Sequence, residues 1–161
     1  TGYDTVQGVA ADSDGNVYIT GLTGSADFPT TVGTLDGVYG GGSYDMYVAK
    51  LSADGSTLLY STFVGGSGSD LSRAIEVDAS GNVYVIGDTG STDIATVNAY
   101  QSTLSGTSSA FLLKLNSTGD SLLYASYLGG TGTETGSGSA STVSMVSRAP
   151  MVQPERPRLI E

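Results

Sequence analysis

Two stretches of this chain are each written twice. DSDGNVYITG at Asp12 to Gly21 returns 66 residues later as DASGNVYVIG at Asp78 to Gly87, and GSTLLYSTFVGGSGSD at Gly55 to Asp70 returns 64 residues later as GDSLLYASYLGGTGTE at Gly119 to Glu134. A unit of about 65 residues is therefore copied, with a two-residue deletion between its two blocks. Self-similarity at a fixed period marks solenoids, propellers and arrays, in which one supersecondary unit leaves an apolar face for the next to cover. Thr1-Gly2-Tyr3-Asp4 aligns with Ser67-Gly68-Ser69-Asp70 and with Thr131-Gly132-Thr133-Glu134, so the sequence opens just past a repeat junction. With no initiator Met and no charged, apolar leader in view, it reads as a processed product or a piece cut from a longer array.

Inside each unit, short apolar runs alternate with clusters of turn-forming residues, which is an all-β signature in which helices are nearly absent. The first unit predicts strands near Thr5 to Ala11, Asn16 to Leu22, Tyr44 to Ser52 and Ser56 to Val64. The first pair joins through Asp12-Ser13-Asp14-Gly15 and the second through Ala53-Asp54-Gly55, residues that tolerate left-handed backbone. The second unit repeats both hairpins around Ala79-Ser80-Gly81 and Ser117-Thr118-Gly119. Along Leu58 to Val64 apolar side chains occupy both alternating faces, the pattern of a sheet covered on both sides. The predicted fold is all-β: two four-stranded antiparallel sheets in tandem, stacked as β-propeller blades. Propellers close with about 4–8 blades, so two blades imply part of a larger ring or completion by oligomerisation. The domains follow as blade 1 over residues 1–70, blade 2 over 71–134, and a Gly/Ser then Pro/Arg-rich tail over 135–161. That tail reads as a flexible linker followed by an extended segment, either a disordered terminus or, through Val143 to Val146, its most strand-like stretch, docked along a neighbouring subunit's sheet edge.

Chemistry is narrowed by what is missing. The chain has no Cys and no His, which removes disulfides, thiolate metal sites, the commonest general base and the commonest transition-metal ligand. No catalytic residue and no cofactor is expected, and the chain is read as a non-enzyme. Residues 1–140 carry fourteen acidic against three basic side chains, net −11, and residues 141–161 carry net +1. An acidic body repels phosphate backbones and anionic lipid surfaces, so nucleic acid is not an expected partner. No apolar run reaches the ~18 residues of a spanning helix, so no membrane insertion is expected.

The paired motifs then carry a resemblance. D-x-x-G-N-V-Y-V-x-G, S-x-D-F-P at Ser25 to Pro29, K-L-x-x-x-G at Lys50 to Gly55 and L-x-Y-S-T-F-V-G-G at Leu58 to Gly66 resemble the bacterial SBBP repeat, named for the seven-bladed β-propeller, over about residues 1–134. The resemblance implies one blade per repeat in large secreted or surface-exposed bacterial proteins, often joined to adhesion modules. The resemblance gives location, not ligand; the function read from the whole sequence is a non-catalytic extracellular scaffold or interaction module acting through self-association or adhesion to other surface proteins, an assembly or filament subunit among its forms. The second unit departs from the pattern, with Ile94-Ala95 in place of Phe28-Pro29 and Ser105 to Ser108 in place of Gly40 to Ser43, so its outer loop is expected to differ in shape.

Sharper readings attach to particular residues. Asp12, Asp14 and Asn16 place oxygen ligands before a tight turn and are the candidate calcium ligands, yet the second copy, Asp78-Ala79-Ser80-Gly81-Asn82, lacks the middle carboxylate and a hairpin turn accounts for both. Tyr18, Tyr60, Tyr84 and Tyr124 fall at matched strand positions, where packing competes with a sugar-stacking surface for glycans. Lys50 and Lys114 are matched cations read as structural partners of a nearby Asp or as edge protection. Asn116-Ser117-Thr118 satisfies a glycosylation sequon on a turn, and Gly65-Gly66 and Gly129-Gly130 lack the Lys and helix of a phosphate loop. Two other functions remain as alternatives: a carbohydrate- or calcium-binding lectin-like propeller, and a propeller lyase or hydrolase using loop carboxylates among Asp27, Asp36, Asp45 and Asp93.

Overall fold

The computed structural model describes residues 2–133. The tail expected at 135–161, with its strand-like Val143 to Val146, lies outside the described residues. Eight strands follow in order: β1 (Asp4–Ala11), β2 (Val17–Thr23), β3 (Asp45–Leu51), β4 (Leu58–Val64), β5 (Asp70–Val77), β6 (Val83–Thr89), β7 (Ser109–Leu115) and β8 (Leu122–Leu128). They form two antiparallel meanders, β1-β2-β3-β4 and β5-β6-β7-β8, and no helix occurs among the described residues. The second sheet starts at Asp70, one residue before the expected boundary.

The hairpins form where turn chemistry is strongest. In the first, Gly15 N donates to Asp12 O and Asp12 N to Asn16 O, and Gly15 sits at φ 83°. The turns at Gly55, Gly81 and Gly119 likewise have φ of 72°, 79° and 76°, a conformation that costs a side chain but not glycine. Strands start later than the sequence pattern suggests at Asn16 and Ser56, because both residues are used by their turns: Asn16 N and Nδ2 bind the Asp12 carboxylate, and Ser56 N and Oγ bind Asp54. A register shift falls between Val6 and Gly8 and again between Ser72 and Ala74, so the inner strand of each sheet carries the same bulge, which adds local twist.

The outer strands are not bare edges. In the first sheet Thr31 N donates to Ser61 O and Phe63 N to Asp36 O; in the second Val97 and Ala125 exchange backbone bonds and Tyr127 N donates to Gln101 O. Each long β2–β3 or β6–β7 loop thus runs along the last strand of its own sheet and covers the edge. The two loops differ as expected: Phe28 stacks on Tyr47 at 4.3 Å between centroids, whereas Ile94 at the matched place is buried in the core between the sheets.

That core lies between the sheets. β5 packs across β1, β2 and β3, bringing Tyr18, Met46, Val48 and Val64 of the first sheet against Ile75, Val85, Phe111 and Leu113 of the second. Among the described residues each sheet turns one face to the other sheet and its second face to neither. Matched residues measure the difference. Ile75 is 1% exposed while its counterpart Val9 is 65% exposed, and Val64 is 3% exposed while its counterpart Leu128 is 61% exposed. Ile75→Ala should accordingly destabilise the fold by about 2–4 kcal/mol as a buried truncation, while Val9→Ala should stay within about 0.5 kcal/mol as a surface change. Urea unfolding of the two variants checks this.

Candidate functional site

Two surfaces of unlike chemistry stand out: the paired open faces, and the polar clusters that hold each repeat together. The alternation of the strands builds the faces. On the open face of the first sheet, Val6 and Val9 of β1 point outward, Val9 opposite Ile19 and Val6 opposite Gly21 of β2. On the open face of the second, Leu112 of β7 and Tyr124 and Leu128 of β8 combine with Tyr100 of the preceding loop around an apolar hollow of about 310 Å³. Tyr100 is 84% exposed. Its counterpart in the loop of the first sheet is Leu35, because Asp36 N binds Thr62 Oγ1 as Gln101 N binds Ser126 Oγ, and Leu35 packs against the shared core. The second sheet therefore presents, uncovered, the surface that the first sheet buries.

The candidate calcium residues do not assemble around a common point. Asp12 is turned inward over its own hairpin: its Oδ1 accepts from Asp14 N and Asn16 N, and its Oδ2 from Asn16 Nδ2 and Tyr18 OH. Lys50 Nζ lies 3.4 Å from the same Oδ2 and 4.8 Å from the Tyr18 ring centre. The Asn16 side chain, and then its backbone, Tyr18 and Lys50, outweigh partial burial and hold the Asp12 carboxyl down at about 2. Asp14 is exposed and contributes only its backbone N–H. The second repeat reproduces the cluster without a second carboxylate: Asp78 accepts from Asn82 and Tyr84, and Lys114 Nζ lies 3.3 Å from Asp78 and 4.6 Å from the Tyr84 ring centre. An Asp–Tyr–Lys cluster that survives the loss of Asp14's counterpart is a closure of the hairpin onto the third strand. No group of three carboxylates that could hold a metal is found among the described residues. The pairing of each lysine with a nearby Asp agrees with the sequence reading.

The four matched tyrosines divide by sheet. Tyr18 and Tyr60 are buried and meet edge to face at 6.4 Å, beneath the turns of the second sheet, whereas Tyr84 is buried at the level of its own cluster and Tyr124 lines the open hollow. The sequon residue Asn116 spends its side chain on its own turn, donating to Thr118 Oγ1 and Asp120 Oδ1 and accepting from Asp120 N and Ser121 N.

The loop carboxylates sit in different settings, and Asp36 acts on the charge of Asp45. Asp36 lines a cavity of about 120 Å³ between the sheets together with Phe63, Ile94 and Leu122. Asp93 Oδ1 accepts from Ser67 N, and these Ser67 hydrogen bonds hold its carboxyl below the usual value. Asp27 is exposed. Asp45 is the unusual member, for it is buried at the junction, its Oδ2 accepting from Gly40 N at 2.6 Å while its Oδ1 has no hydrogen-bond partner among the described residues. Gly65 separates it from Asp70: a Cβ there would stand 2.8 Å from Asp45 Oδ1 and 2.9 Å from Asp70 Oδ2, so only glycine passes between the two carboxylates. Burial, reinforced by Asp70 and Asp36, pushes the Asp45 carboxyl up to about 6.

One network had no place in the sequence reading. Asp70 accepts from Thr89 Oγ1, Ser91 Oγ and Gly66 N, and Asp4 accepts from Thr23 Oγ1 and Ser25 Oγ. The carboxylate at the start of each inner strand thus ties down the end of the second strand. The signal was present: Thr-Gly-Ser at 23–25 and 89–91 repeats at the same offset as Asp4 and Asp70.

A carboxyl whose native value lies above its unfolded value stabilises the native state fully at low pH and loses that contribution as pH rises through the native value. For Asp45 the window runs from about pH 4 to about pH 6. Asp45→Asn should flatten stability across this window and raise it at pH 8 by about 1–3 kcal/mol. Denaturant titrations at pH 4, 6 and 8 check both.

No curated protein matches the chain. Residues 1–29 span the first hairpin and the Ser25 to Pro29 segment, and they match SBBP, a β-propeller repeat. The opening of this chain is thus similar to the family that its paired motifs resemble, and the two four-stranded sheets are blades of an unclosed propeller.

Proposed function

We propose that this chain is a non-catalytic extracellular scaffold module that works by docking its open blade faces, in self-association or in adhesion to other surface proteins. One observation carries the reading: residues that are core in one repeat are surface in the other, as with Ile75 and Val9 or Val64 and Leu128. Contiguous apolar surface on a folded chain marks a place where another surface binds. The character of the faces supports a protein partner over a sugar. Tyr100, Leu112, Tyr124 and Leu128 make an apolar hollow, whereas a small polar ligand needs several placed polar groups to fix it. The Asp–Tyr–Lys clusters satisfy themselves, which supports a structural role for their carboxylates rather than calcium or acid–base work.

The test is binding of the folded chain, immobilised, to itself and to bacterial surface proteins. Leu128→Glu or Val9→Glu should weaken binding about tenfold or more, while a calcium chelator and simple sugars leave it unchanged. Binding that ignores both faces, or that follows calcium or sugar, overturns the reading.

A further inference from the structure

We propose that a second copy of this chain docks head to tail, setting the open face of its first blade on the open face of the second blade with the register of the contact already made inside the chain. The proposal rests on the reading above that the open faces are docking surfaces, and it names their occupant.

The internal contact supplies the template, and each of its main features has an unused counterpart. In the chain, Ile75 sits over Gly8, where a Cβ would be 3.1 Å from Ile75 Cγ2. The counterparts are Val9 and Ala74: the smaller side chain on one face meets the larger one on the other, so the volume at this seat is nearly kept, the kind of swap that cores tolerate best. The Gly119 turn lies against the Tyr60 ring, 2.6 Å from a Cβ built there. Its counterpart, the Gly55 turn, has nearly the same φ, 72° against 76°, with nothing within 4 Å, and Tyr124 waits in the place of Tyr60. Leu35 N donates to Gly119 O at 2.9 Å across the internal contact. The matching donor and acceptor are Tyr100 N and Gly55 O of the incoming copy.

Several positions differ between the two contacts, Phe28 in place of the core residue Ile94 among them, and they set the terms of the fit. Ser72 Oγ donates to Gly21 O internally, whereas Val6 stands at the matched place and cannot. Asp88 replaces Leu22, but Arg73 closes it at 2.6 Å, so no bare charge faces the newcomer. Glu76 replaces Ala10 and opposes docking. Finally, residues 130–133 run along 106–108 as 66–69 run along 40–44: Ser108 bridges Thr133, and Gly106 approaches Gly132 O as Gly42 approaches Gly68 O. The seat of the incoming Gly2 and Tyr3 is therefore already filled, and these residues must yield when the copy docks. Because both copies are acidic, association should tighten as salt rises.

A head-to-tail contact is heterologous, which makes single-face variants decisive. Val9→Glu blocks one face and Leu128→Glu the other; both side chains are mostly exposed, and Val6→Glu and Tyr100→Glu provide a second blocked variant of each face. Sedimentation velocity should show the wild type growing past dimers with concentration. Each variant alone should lose association about tenfold or more, and their equimolar mixture should regain it but stop at dimers. Glu76→Ala and deletion of Thr1 to Tyr3 should each strengthen assembly. A variant that still dimerises alone shows like faces pairing, which overturns the head-to-tail proposal and keeps the docking reading. A folded wild type that stays monomeric at every concentration overturns the proposal and leaves adhesion to another surface as the only form of that reading.

Discussion

Everything in this structure depends on a sheet that is apolar on both faces. A strand that alternates apolar with polar side chains can rest one face on a core and the other in water. The sequence Leu58 to Val64 does not alternate in this way, and in the fold Tyr60 and Val64 serve the inter-sheet core while Phe63 serves the opposite face under Phe28 and Tyr39. Such a sheet is fully covered only between two neighbours. Within the described residues each sheet has one, and on the other face of the first sheet Tyr47 and Phe63 are buried under loop aromatics while Val6 and Val9 are displayed.

The polar groups obey a different rule. Carboxylates taken out of water are tolerated where donors converge on them: buried Asp70 receives three, and the half-buried Asp12 and Asp78 each receive an amide, a phenol and a lysine. Asp45 breaks the rule, with one oxygen unpaired among the described residues beside Asp70. Its counterpart Ser109 is also buried with an unpaired hydroxyl among the described residues, so the position carries a polar group in both repeats.

Much of the fold was legible because repetition acts as a second measurement. Turn residues that recur at fixed offset, such as Asp12 with Gly15 and Asp78 with Gly81, fix the hairpins, and the lysines at 50 and 114 fall beside their carboxylates once the strands are paired. What stayed hidden was environment. Val9 and Ile75 hold the same place in the repeat, and the adjoining blade makes Ile75 core while Val9 is surface. The direction of the Asp12 carboxylate was equally hidden, since inward turn closure and outward cation binding use the same residue types at the same spacing. The Asp70–Thr89–Ser91 tie needed the knowledge that the start of β5 lies beside the end of β6.

The clusters of Asp12, Tyr18 and Lys50 and of Asp78, Tyr84 and Lys114 have a consequence for how such arrays change. Each repeat neutralises its own hairpin charge, and the carboxylates at Asp4 and Asp70 find their hydroxyl donors within their own sheet. The polar links that cross from one blade to the next fall largely on backbone groups: Leu35 N with Gly119 O, Asp70 N with Tyr44 O, and Ser72 Oγ on Gly21 O. A gene segment encoding one blade can therefore be duplicated, deleted or exchanged with little loss of charged side-chain partners, and length becomes a property that the array can vary independently of the chemistry of its units.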